Sequence, residues 1–173
     1  MLSLSTQNKT RIKMKKTITI AMMLIGMVAS AQSLKGYELG TPAPNNEKYS
    51  ENTSVGGVDG VLWLYTLNDG RIYLMGFVPS NNGKDTSRMY SSDFNAFKAG
   101  VEKNYGIKLK FTKSTTYGDN GFWSYESNDV RFILSYEINE YMDKPVKSSF
   151  LITSKSLSKI NEKEEAEKAS AEF

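Results

Sequence analysis

The chain has 173 residues, 22 basic and 19 acidic side chains and a hydrophobic content of 39%, the composition of a globular protein rather than a disordered or fibrous one. It contains no cysteine and no histidine. Those absences exclude thiol nucleophiles, CxxC redox pairs, Ser-His-Asp triads, zinc sites of the usual ligands and His-ligated haem.

The first pattern along the chain is an export signal. Met14-Lys15-Lys16 is a short basic start, residues 18–28 form an uncharged and mostly apolar run, and Ala29-Ser30-Ala31 is a small-x-small cleavage site. This predicts a secretory signal peptide over 1–31, with Met14 as the expected start of translation and cleavage after Ala31. The apolar run is shorter than the roughly 20 residues that span a bilayer. Cleavage removes five of the 22 basic residues and none of the 19 acids, so residues 32–173 carry 17 against 19, a net charge of −2. A nucleic-acid partner, which calls for a concentrated basic face, is not expected. Gln32 rather than Cys follows the cleavage site, which argues against a lipoprotein anchor. The expectation is a soluble periplasmic or extracellular chain with no stable membrane anchor after cleavage, held together by a core rather than by disulfides.

Residues 32–57 read as an extended leader. They contain Gly36, Gly40, Pro42, Pro44, Asn45-Asn46 and Gly56-Gly57, with room for one short edge strand over 35–40. Residues 58–173 read as a single α+β domain. The runs 61–67 and 71–78 flank Asn68-Asp69-Gly70 and predict a hairpin. Both runs are apolar on both faces, so the hairpin belongs at the sheet centre or beneath a helix, and Pro79 is expected to stop its second strand. After a polar loop at 80–88, a helix is predicted from Ser91 or Ser92, either of which can cap it, with Asp93 at its positive end. Phe94, Phe97, Val101 and Tyr105 form its apolar stripe and Gly106 ends it.

A strand is expected at 107–111, then a second hairpin with strands 122–126 and 130–138 around Ser127-Asn128-Asp129, a loop over 141–146, and a last strand at 149–153. From Leu157 onward the chain reads as a charged helix, with Glu164 and Lys168 at i,i+4 spacing and a thin apolar face. The whole predicts an α+β fold: a mostly antiparallel sheet of five to six strands, one helix packed across it, and a C-terminal charged helix.

Short motifs that suggest chemistry have plainer readings. Ser156-Leu-Ser-Lys159 matches S-x-x-K, but neither S-D-N nor K-T-G follows, and a helix start explains it. Gly83-Lys84-Asp85-Thr86 lacks the first glycine of a phosphate loop and sets an acid where phosphate would lie. Glu126, Asp129, Glu137, Glu140 and Asp143 cluster around the second hairpin, where a solvated, charge-mixed surface accounts for them; two of them acting as acid and base would make a glycosidase-like hydrolase. No catalytic residue, metal or cofactor is assigned. The chain has 8 Phe, 10 Tyr and 2 Trp. One helix cannot cover both faces of the sheet, so aromatics on the far face, Trp123 and Tyr125 in particular, are expected to be partly exposed and to form a binding surface for a protein, peptide or glycan. The functional expectation is a non-catalytic binding module of the bacterial envelope, with a small carboxylate-dependent hydrolase as the alternative; the oligomeric state is left open.

Gly36 to Gly40, Gly57 to Leu62, Asp69 to Tyr73, Tyr105-Gly106, Trp123 and the charged segment Leu157 to Phe173 follow one another in an order that resembles a loose class of small exported bacterial α+β proteins of unknown function. In that class a helix often follows the first segment; Pro42 and Pro44 argue against one here. The resemblance implies the fold class and export, and it assigns no site residue.

Overall fold

The computed structural model describes residues 33–44, 49–81, 84–85, 87–114 and 120–171. The predicted signal peptide lies outside them. The chain divides into two units, Met1–Ser33 and Leu34–Phe173, and the second is the α+β domain.

Two short strands, β1 (Ser33–Leu34) and β2 (Tyr37–Glu38), form a small sheet of their own. An antiparallel meander follows, made of β3 (Tyr49–Val55), β4 (Val58–Thr66) and β5 (Ile72–Asn81). Two-residue strands β6 (Lys84–Asp85) and β7 (Arg88–Met89) lead into helix α1 (Ser91–Tyr105). A second meander contains β8 (Lys110–Lys113), β9 (Gly121–Ser127) and β10 (Val130–Ile138). The chain ends with β11 (Val146–Lys147), β12 (Phe150–Ser154) and helix α2 (Lys155–Ala171). β12 is inserted between the two meanders, antiparallel to β5 on one side and to β10 on the other. β11 continues along the far part of β10 and carries β7. Ten strands thus join in one sheet.

The strand count exceeds the predicted five to six for a physical reason. β6, β7 and β11 are two residues long and carry no periodicity. β3 is an edge strand of sequence YSENTSV, and a polar edge strand gives no hydrophobic signal. That strand comes from the segment read as a leader. Pro79 does not stop β5, which runs on to Asn81. Pairing with β12 ends at Phe77, so at Pro79 the strand has an edge on that side, where a missing N–H is tolerated.

The register sorts side chains onto two faces. Leu62, Phe77, Phe150, Leu134, Trp123 and Phe111 form one row across the sheet, and Leu64, Met75, Ile152, Phe132 and Tyr125 form the next on the same face. Helix α1 lies on this face. Phe94, Phe97 and Val101 are its buried residues, as its sequence stripe predicts. Phe97 packs on Phe77 with ring centroids 5.8 Å apart, Phe94 on Tyr136 at 4.9 Å, and Tyr105 on Phe132 at 5.2 Å. Phe77, Phe132 and Phe150 are fully buried, each worth about 1.5–3 kcal/mol relative to an exposed ring.

Local chemistry sets where α1 starts and stops. Its N-cap position is Tyr90, which makes no side-chain cap bond, so neither expected serine caps it. Gly106, at φ +62°, ends it as predicted and returns its N–H to the Glu102 carbonyl. The Glu102 side chain then clasps the outgoing chain: Oε1 accepts from Lys98 Nζ and from the Leu109 N–H, both at 2.9 Å. The other close approach is at the β3–β4 turn. Gly56 and Gly57 both have positive φ, which suits a tight two-residue hairpin turn, and Gly100 of α1 sits directly against Gly56.

Candidate functional site

The opposite face of the sheet carries a second apolar set. Trp63, Gly76, Leu151 and Ile133 form a row across β4, β5, β12 and β10, flanked by Tyr65 and Leu74 on one side and by Val61 and Val78 on the other. Trp63 is 41% exposed and Tyr65 38% exposed, whereas their strand neighbours Leu62 and Leu64, facing α1, are buried. Gly76 at the centre of this strip lets its neighbours close over it: a Cβ there would stand 3.2 Å from Leu151 Cδ2 and 3.6 Å from Tyr65 Cε2.

Helix α2 reaches this side only at its margin. Its Ser158 hydroxyl is 2.8 Å from that of Thr153, Glu164 accepts the Asn68 N–H at 2.9 Å, and none of its described residues is buried. The strip therefore stays open among the described residues. Along this face Phe122 of β9 is a third exposed aromatic, at 38%.

Trp123 and Tyr125 lie on the other side. The register sets both on the face that carries α1, where each is half-buried. Trp123 packs on Phe111 with centroids 5.2 Å apart, Lys98 Nζ stands 4.3 Å from its ring, and its buried indole N–H has no acceptor among the described residues. Tyr125 packs on Phe132 at 6.2 Å. The partly exposed far-face aromatics expected at these two positions are Trp63, Tyr65 and Phe122 instead. The signal was in the alternation of VLWLYTL: Leu62 and Leu64 take one face and Trp63 and Tyr65 the other.

The acids of the second hairpin do not converge. Glu126 pairs with Arg131 at 2.6 Å and with Lys155 at 3.5 Å, and the Arg131 hydrogen bond holds its carboxyl below the ordinary glutamate range. Asp129 stands at the start of α2. Partial burial pushes its carboxyl up, but the hydroxyls of Ser154 and Ser156 and the Ser156 N–H, all donating to it, outweigh that and leave it below the usual aspartate value. The Ser156 hydroxyl of the S-x-x-K match is thus spent on Asp129, and Lys159 is exposed. Glu140 and Asp143 are exposed in the turn after β10. Lys84 and Asp85 pair with the end of β5 as a strand, while Gly83 and Thr86 lie outside the described residues.

Among the described residues there is no group of three His, Cys, Asp or Glu side chains able to hold a metal, and no helix is long and apolar enough to cross a membrane. Concave sites among the described residues include a cavity of about 640 Å³ at the turn end of β8 and β9, one of about 610 Å³ around Asp129, Lys155 and Lys159, and one of about 360 Å³ around Asp59, Pro79, Arg88 and Lys144. No family model, curated protein or solved structure matches the chain.

Proposed function

We propose that this chain is an exported, soluble, non-catalytic binding module of the bacterial envelope, which engages a protein, peptide or glycan through the open face of its sheet. The observation that carries this reading is the half-exposed pair Trp63 and Tyr65 on the sheet face opposite α1. Large aromatics at the surface of a rigid sheet offer contact area at little entropic cost, and contiguous apolar surface is otherwise disfavoured on a monomer. Export is supported by the basic start, apolar run and Ala29-Ser30-Ala31 of the N-terminal segment.

The hydrolase alternative has less behind it. It needs a carboxylic acid with a raised pKa within about 5–10 Å of a second carboxylate. Glu126 and Asp129 are both displaced downward, the wrong direction for a general acid at neutral pH.

The test is capture of partners by the tagged full chain from the envelope fraction of its source, together with N-terminal sequencing of the exported product. A partner held near one-to-one, lost with Trp63→Ala and kept with Lys159→Ala, is the expected result. Retention of every partner by both Trp63→Ala and Tyr65→Ala would rule out the sheet face. A product that begins before residue 32 would rule out cleavage after Ala31.

A further inference from the structure

The cavity at the turn end of β8 and β9 has a composition that the aromatic strip lacks. Its lining includes Thr112, Lys113, Ser114, Asn120, Phe122 and Glu137. Thr112 stands opposite Phe122 across the β8–β9 pair, and Phe122 opposite Ser135 of β10. Glu137, two residues beyond Ser135, therefore points to the same side of the sheet, diagonal to Phe122 at about 7–8 Å between strand positions. The Phe122 ring is 38% exposed, and the Glu137 carboxylate has no hydrogen-bond or ion-pair partner among the described residues.

The base of the cavity is fixed. The Ser114 N–H donates to the Asn120 carbonyl at 2.7 Å, closing the two strands. The Asn120 side-chain oxygen accepts the Ile138 N–H at 2.6 Å, which pins the amide and leaves its NH₂ as the donor end. The lining thus offers an aromatic face, a carboxylate acceptor and an amide donor, all near strand ends rather than on a mobile surface. Lys147 of β11 stands directly across from Glu137 and sets an opposite charge beside it, so a strongly anionic or cationic ligand gains nothing net.

We propose that this cavity binds a neutral pyranose saccharide. The apolar C–H face of a sugar ring stacks on Phe122, adjacent ring hydroxyls donate to the Glu137 carboxylate, and a ring substituent oxygen accepts from the Asn120 amide. At about 640 Å³ the space is that of a small-molecule site. This deepens the binding-module reading and rests on it, but it uses different residues from the Trp63 strip, so the two can fail separately.

The purified chain is titrated with cellotetraose, maltotetraose and chitotetraose, each to about 10 mM, by calorimetry and by amide chemical-shift mapping. At least one is expected to bind with Kd of about 0.1–1 mM, with shifts at residues 112–114, 120–122 and 137. Phe122→Ala and Glu137→Gln each weaken it about tenfold or more, Phe122→Tyr retains it, and Trp63→Ala leaves it unchanged. Phe122 and Glu137 are exposed, so these variants keep the fold, which circular dichroism checks. Absence of binding by all three saccharides, or binding indifferent to Phe122→Ala and Glu137→Gln, overturns the proposal. Binding lost only with Trp63→Ala also overturns it while keeping the sheet face as a binding surface.

Discussion

At the scale of single residues, two positions show opposed effects whose magnitudes decide the outcome. The buried indole N–H of Trp123 has no acceptor among the described residues, and an unsatisfied buried donor costs about 1–3 kcal/mol. Trp123→Phe removes that donor, and in exchange loses ring area and part of the Lys98 contact, worth about 0.5–1 kcal/mol at a partly exposed site. The terms nearly cancel, so urea unfolding of Trp123→Phe is expected to lie within about 1 kcal/mol of wild type, whereas Phe132→Ala, fully buried, costs about 3–5 kcal/mol. Gly100 presents the reverse case. Alanine is favoured over glycine inside a helix by about 1 kcal/mol. A Cβ at Gly100, however, would stand 2.5 Å from the Gly56 carbonyl oxygen and 2.8 Å from its Cα, both backbone atoms in a tight turn. Forced separation there costs about 1–3 kcal/mol. Gly100→Ala should therefore lower the urea midpoint despite its better helix propensity; a raised midpoint would mean that α1 can lift off the β3–β4 turn freely.

At the scale of elements, the start of α2 depends on a residue remote in sequence. Asp129, in the β9–β10 turn, accepts from the Ser156 N–H at 2.8 Å and from two hydroxyls, while its own carbonyl accepts the Lys155 N–H at 2.7 Å. It is a helix cap supplied by another element, worth about 1 kcal/mol. Its carboxyl is lowered in the folded state, so the stability it contributes is fully present above the unfolded value of about 3.9 and is lost as pH falls through the lower folded one. Asp129→Asn should cost about 1 kcal/mol at pH 7 and flatten the pH dependence of stability below about pH 4. The Glu126 carboxyl is lowered too, by Arg131, but it is exposed and its ion pair is screened, so it adds little. The part-buried Glu102, raised by burial but lowered overall by Lys98 and the Leu109 N–H, keeps a separate share of the acid limb. An unchanged acid limb in Asp129→Asn would remove this account. The cap also marks what sequence can and cannot show. Both main hairpins, α1 from Ser91 to Tyr105 and its Gly106 stop were legible because their signals are local: turn residues between β-rich runs, and a 3.6-residue stripe. Asp129 was legible only as a turn residue, since nothing local ties it to Ser154 and Ser156. Trp123 and Tyr125 were assigned the wrong side because period 2 says which residues share a face, but not which face the helix takes.

At the scale of the molecule, the last strand decides whether there is one sheet or two fragments. Each meander is local in sequence, but β12 joins them, pairing Phe150 with Phe77 on one side and with Leu134 on the other. Its inward residues Phe150 and Ile152 are fully buried. Without β12 the adjoining edges of β5 and β10 lose their partner, and the core under α1 loses its central row. A chain stopped after Ser148 is therefore expected to show no cooperative unfolding transition and to aggregate through the two uncovered edges. A chain stopped after Glu162 poses the opposite test. None of the described residues it loses is itself buried, and among the described residues its one hydrogen bond to the rest of the fold runs from the exposed Asn68 N–H to Glu164. Its ion pairs, Lys163–Glu167 and Lys168–Glu165, lie within the helix and at the surface. That chain should unfold cooperatively at a free energy within about 1 kcal/mol of the full one. If instead it unfolds at once, the outer turns of α2 shield more of the Trp63–Tyr65 strip than their exposure implies, and the open face would then be a surface that α2 itself regulates.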